Sequence, residues 1–189
     1  MQCIVHPGAS DQYQQLVTPW LGEDIAPPFH FLFYREDEAL VFSIKRNAPA
    51  NIHPEAKCGH YQENLWRYDV TEFFIATADA KRYLEFNLCP NGAWWAEAFT
   101  DPRVKLDGFD AAQLHPKLTA SYAAEAWQAT VKLPLAYLEE WGLKLSACRL
   151  AATAVICRNG AYTYLTTCEQ RAGKPDFHHP WDWEAPLLL

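Results

Sequence analysis

The stretch from Tyr83 to Phe99, with Cys89-Pro90-Asn91-Gly92 at its centre, constrains the fold of this chain more than any other. Two runs of alternating character flank a turn that can be read in two ways. A two-residue Asn91-Gly92 loop would put Pro90 in a ladder position, where its missing N–H is a liability. A type I turn with Pro90 second and Gly92 left-handed suits all three residues. The second reading sets Cys89 opposite Ala93 and pairs Leu88 with Trp94, Asn87 with Trp95 and Glu85 with Glu97. One face then carries Leu84, Phe86, Leu88, Trp94, Ala96 and Ala98, a clean core face. The other carries Tyr83, Glu85, Asn87, Trp95, Glu97 and Phe99.

The rest of the chain extends this β pattern. Phe29–Tyr34 and Ala39–Lys45 read as strands joined at the charged turn 35–38, and Trp66–Ala76 reads as a third. Ala126–Lys132 and Ala147–Cys157 follow, and Arg158-Asn159-Gly160 turns the last into Tyr162–Thr167. The segments 47–64 and 101–120 read as loops, and a polar lead-in precedes Pro27-Pro28. One helix signal stands out over 134–142: Pro134 at the first position, Leu135, Leu138 and Trp141 on one face, and Gly142 as the stop. Eight Trp, nine Tyr and ten Phe supply the large rings that pleated surfaces bury. The reading is an all-β, jelly-roll-like antiparallel sandwich. It forms one domain over 1–189, with 170–189 as a C-terminal arm packed on it.

Charge and cysteine usage bound the function. A net charge of −7 leaves no basic stripe for nucleic acid. No apolar run approaches the ~20 residues of a membrane span. The start lacks the basic and apolar regions of an export signal, so the expected location is cytoplasmic. The six cysteines show no Cys-x-x-Cys pair and read as free, mostly buried thiols. Asp176, His178, His179, Asp182 and Glu184 lack the spacing of a helical zinc site and read as part of the arm, with hydrogen-bonded His tips. No metal or cofactor is expected.

Like charges directly across a ladder destabilise it, so the opposed Glu85 and Glu97 mark a site candidate. They could serve as acceptors for sugar hydroxyls, an acid/base pair or metal ligands, or simply be solvated on an open face.

Leu65-Trp66-x-x-Asp69-x-x-Glu72-Phe73-Phe74-Ile75, followed by Tyr83-x-Glu85-Phe86-Asn87-x-x-Pro90-x-Gly92-x-Trp94, resembles the DOMON-like superfamily. Within it the likeness is to family 9 carbohydrate-binding modules and their bacterial relatives. The tail 174–180 and the final three leucines resemble the closing segment of those relatives. The resemblance implies a β-sandwich that binds sugar without catalysis and clamps it between two Trp rings. It puts the first ring on Trp66, the sugar-binding acid on Glu72, and the second ring on Trp181 or Trp183. The full set of expected ligand residues is Trp66, Glu72, Glu85, Asn87, Trp95, Glu97 and Trp181. Six residues of straight strand span ~20 Å, so Trp66 and Glu72 share a sugar only if Trp66 sits in a bend.

The expected partner is a small carbohydrate. Three alternatives stand beside it: a sugar-processing enzyme using the Glu85/Glu97 pair, a bis-His haem protein, and a docking or self-associating sandwich with an exposed apolar patch at Trp95 and Phe99.

Overall fold

Alternation along the central strands sorts their side chains between two faces. The computed structural model follows it over the residues described, 1–16, 18–22, 25–169 and 173–189. In chain order the strands are β1 (Ile4–His6), β2 (Gln14–Leu16), β3 (Phe29–Glu36), β4 (Ala39–Arg46), β5 (Val70–Thr77), β6 (Tyr83–Leu88) and β7 (Trp94–Asp101). They continue as β8 (Val104–Lys105), β9 (Lys117–Tyr122), β10 (Trp127–Pro134), β11 (Cys148–Arg158), β12 (Ala161–Thr166) and β13 (Leu187–Leu188), with helix α1 (Leu135–Glu140) after β10. One sheet runs β13-β1-β3-β4-β10-β9, with β2 also paired to β3, and the other runs β12-β11-β5-β6-β7-β8. Among the described residues no helix is long and apolar enough to cross a membrane.

The core lies between the sheets. Phe33 and Phe42 of the first meet Phe73 of the second at centroid distances of 5.8 and 5.2 Å, and Phe73 stacks on Phe86 at 5.4 Å. Offset and edge-on arrangements of this kind are favourable ring geometries. Trp94 extends the stack, 5.6 Å from Phe86, and is buried.

The hairpin takes the type I register. Leu88 pairs with Trp94, Asn87 with Trp95 and Glu85 with Glu97. The Gly92 N–H donates to Cys89 O (2.8 Å) and the Cys89 N–H to Ala93 O (2.9 Å), with Gly92 at φ +84°. Gly92 is needed twice over, since a Cβ there would meet Cys58 Sγ at 2.8 Å and Ala120 Cβ at 3.0 Å.

Several boundaries differ from the sequence expectation. Trp66–Ala76 is not one strand: Leu65–Arg67 form a single 3₁₀ turn before β5 begins. The loop 101–120 contains β8 and the first residues of β9, because the exposed β9 takes its place from pairing with β10 rather than from burial. The polar lead-in contains β1 and β2, and β1 runs parallel to both β3 and β13. Such three-residue strands owe their position to long-range partners that no local pattern reveals. Pro134 closes β10 and caps α1 rather than occupying its first position. The described cysteines are free, and Cys58 alone of the six is exposed. Burial pushes the Cys3, Cys89 and Cys148 thiols up to about 12.

Candidate ligand-binding site

The outward face of the second sheet is a side-chain lattice set by strand pairing. One row runs Thr166–Thr153–Glu72–Asn87–Trp95 across β12, β11, β5, β6 and β7. The next runs Ala151–Phe74–Glu85–Glu97. Glu72 and Glu85 are thus diagonal neighbours on adjacent strands, near enough to influence each other.

A cavity of about 500 Å³ opens on this face, and Trp66, Glu72, Glu85 and Trp95 all line it. Trp66 reaches it from the 3₁₀ turn, the bend that sharing a ligand with Glu72 requires. Its ring is 52% exposed, with the Arg67 guanidinium 5.2 Å from the ring centroid. The turn is anchored by buried Asp69. That carboxylate accepts from Arg158 Nη1 (2.6 and 2.7 Å), from the Cys157 N–H (2.9 Å) and from the Asn51 N–H (3.2 Å).

The two cavity carboxyls are nearly inaccessible to bulk solvent. Burial pushes Glu72 up to about 7, against the Thr153 hydroxyl that donates to its Oε2 at 2.8 Å. Burial, then the neighbouring Glu72 charge, pushes Glu85 up to about 8, against the Asn87 Nδ2 that donates to its Oε1 at 2.6 Å. Desolvation penalises the charged form, so both are readily protonated near neutrality. A protonated carboxyl both donates and accepts hydrogen bonds, as a sugar hydroxyl does.

The other expected residues lie differently. Asn87 is 1% exposed and supports Glu85 from behind, and its own buried Oδ1 has no hydrogen-bond partner among the described residues. Glu97 opposes Glu85 as expected, but its Oε2 is engaged by Lys105 Nζ at 2.5 Å and it does not line the cavity. Trp181 is 45% exposed, packs on His179 at 5.3 Å and is not among the lining residues. Trp183, the other tail ring, is buried against Phe74 and Tyr83. The tail therefore contributes neither Trp to the cavity. The apolar patch that the docking alternative places at Trp95 and Phe99 lacks Phe99, which is buried and stacked on Tyr83 at 4.7 Å.

Sequence reading did not place Arg103, Lys105, Phe177 or His178 at the site, and all four line the cavity; His178 has the hydrogen-bonded tip expected of it, on the Tyr83 hydroxyl. The first two sit in the β7–β8 hairpin, read as loop. The last two belong to the arm, whose residues 170–172 lie outside the described residues. Arg103 Nη2 pairs with Asp176 Oδ1 at 2.8 Å, tying that hairpin to the arm. Burial, and then the Arg103 charge, lowers His178 to about 4, so its imidazole is neutral. Among the described residues no three His, Cys, Asp or Glu side chains group as metal ligands would.

No protein-family model matches this sequence, nor does any curated protein. Solved structures do resemble the fold. A Bacteroides uniformis protein proposed to bind carbohydrate matches with TM-score 0.71 at 14% identity, over 94% of this chain and 86% of that one. A family 9 carbohydrate-binding module from Caldicellulosiruptor kristjanssonii, in complex with glucose, matches with TM-score 0.64 at 8% identity, over 97% and 89% of the two chains. A module of that family and organism in complex with cellotriose matches with TM-score 0.59 at 8% identity, over 91% and 86%.

Proposed function

We propose, from a fold shared with the family 9 carbohydrate-binding modules, that this protein binds a small carbohydrate without acting on it. One observation carries the reading: Trp66, Trp95, Glu72 and Glu85, drawn from three strands and a preceding turn, line a single cavity. Two indole rings offer apolar plates to the C–H faces of a pyranose. Two carboxyls held near neutrality offer donors and acceptors to its hydroxyls. A cavity of about 500 Å³ falls within the ~300–1,000 Å³ range of small-molecule sites.

The enzymatic alternative required Glu85 and Glu97 as an acid/base pair. That Glu85 lines the cavity and Glu97 does not favours binding over that chemistry.

The test is titration calorimetry with glucose, cellotriose and a panel of soluble mono- and oligosaccharides. Saturable binding tighter than about 1 mM to at least one sugar is the expected outcome. Flat titrations across the panel, from protein with intact near-ultraviolet dichroism, would sink the proposal.

A further inference from the structure

The arm places His178 against the cavity wall, in a hydrogen-bonded chain of definite direction. The Tyr83 hydroxyl oxygen accepts the Arg103 backbone N–H at 3.1 Å. It also lies 2.7 Å from His178 Nδ1. No other acceptor for the Tyr83 O–H is found among the described residues, so directing that proton anywhere but His178 would leave a donor unpaired in a nearly buried site. Burial raises the Tyr83 phenol further above its ordinary value, so the proton stays on. His178 Nδ1 is therefore the acceptor, and the single proton of the neutral ring sits on Nε2.

That nitrogen lies 3.6 Å from Glu85 Oε2. The other Glu85 oxygen already accepts from Asn87. Edge-on contacts with Phe74, Tyr83 and Phe99, at 5.7, 5.8 and 5.3 Å between ring centroids, hold the imidazole plane. Through Tyr83, the backbone of the β7–β8 hairpin thus sets which edge of His178 faces the cavity carboxyl.

We propose that Tyr83 and His178 are positioning residues for the ligand site: the Arg103 N–H, Tyr83 O–H and His178 chain fixes the tautomer of the imidazole and turns its Nε2–H edge toward Glu85 Oε2, 3.6 Å away, an electrostatic contact longer than a hydrogen bond that biases the orientation of the carboxyl. This rests on the carbohydrate reading for its consequence, though not for its geometry. His178 reaches the site from a segment 93 positions beyond Glu85 in the sequence, so a sugar site assembled this way is incomplete without the arm.

Two measurements decide it. Nitrogen-15 spectra of the ligand-free protein at pH 7 should show His178 as the neutral Nε2–H tautomer, and Tyr83→Phe should mix the two tautomers while keeping the packed ring. In calorimetry, Tyr83→Phe and His178→Ala should each weaken binding of the tightest sugar on the panel about tenfold. His178→Gln, whose amide can present a donor in place of Nε2–H, should recover most of it. A Nδ1–H tautomer in a sugar-binding protein overturns the relay and leaves the carbohydrate reading standing. Wild-type affinity in both Tyr83→Phe and His178→Ala does the same. Failure of the unaltered protein to bind any sugar, with the Nε2–H tautomer present, overturns the carbohydrate reading and the positioning role while leaving the hydrogen-bonded chain intact.

Discussion

Asn87 Nδ2 donates to Glu85 Oε1 at 2.6 Å, two residues away on the same face of β6. This bond partly offsets the burial of Glu85 without restoring the carboxyl to its ordinary range. The folded protein therefore holds protons on Glu72 and Glu85 that the unfolded chain releases at lower pH.

The sign of the pH dependence follows. A carboxyl raised in the folded state stabilises fully below its unfolded value and loses that contribution as pH rises through its folded value, here about 7 for Glu72 and about 8 for Glu85. His178, lowered to about 4 from 6.5, works the other way, and its contribution is lost as pH falls below 6.5. Above pH 6.5 the carboxyls act without that opposition. Urea unfolding should show stability falling by on the order of 2 kcal/mol between pH 6.5 and 8. Glu85→Gln should flatten most of that slope, and an unchanged slope would contradict the assignment.

Trp94 and Trp95 are adjacent in sequence and opposite in role. Trp94→Ala removes a ring from the sheet-to-sheet stack and should cost ~3–5 kcal/mol. Trp95→Ala, from a half-buried ring at the cavity, should cost only about 1 kcal/mol and weaken sugar binding at least tenfold. Denaturant melts paired with calorimetry distinguish the two, and equal stability losses would refute the division.

Asp69 accepts from Arg158 and two backbone N–H groups directly behind the turn that carries Trp66. Asp69→Ala should cost ~1–3 kcal/mol, since the Cys157 and Asn51 N–H groups lose their acceptor while Arg158 keeps the Cys157 and Pro49 carbonyls. Asp69→Asn should cost less but still lower the affinity for sugar, because the bend presenting Trp66 loosens. Retention of full affinity in a folded Asp69→Asn protein would remove this carboxylate from the design of the site.

The Arg103–Asp176 pair ties the arm to the β7–β8 hairpin through a solvent-exposed guanidinium. Exposed pairs contribute ~0.2–1 kcal/mol, so Arg103→Ala should leave global stability nearly unchanged. Amide exchange over 176–178 should nevertheless quicken, since the ion pair is a direct side-chain link between the arm and that hairpin. Exchange rates identical to wild type would show that the ion pair does not hold the arm, leaving that role to the Tyr83–His178 bond, the Arg149 bonds to the Trp181 and Trp183 carbonyls and the packed rings.

The central hairpin is legible from local chemistry, because two residues in its turn have narrow backbone preferences. Pro90 forbids a ladder position, Gly92 accepts a left-handed one, and period-two alternation converts that register into a core face and a site face. The opposition of Glu85 to Glu97 and the division between Trp94 and Trp95 follow from local geometry alone. Which candidates share a cavity depends instead on contacts between distant segments. Glu97 was drawn away by Lys105, a strand further on, and Trp183 by a hydrophobic niche under the arm, while His178 was brought in across 95 residues to meet the Tyr83 hydroxyl. Burial and long-range ion pairs depend on which distant segments pack together, and backbone periodicity carries no record of that.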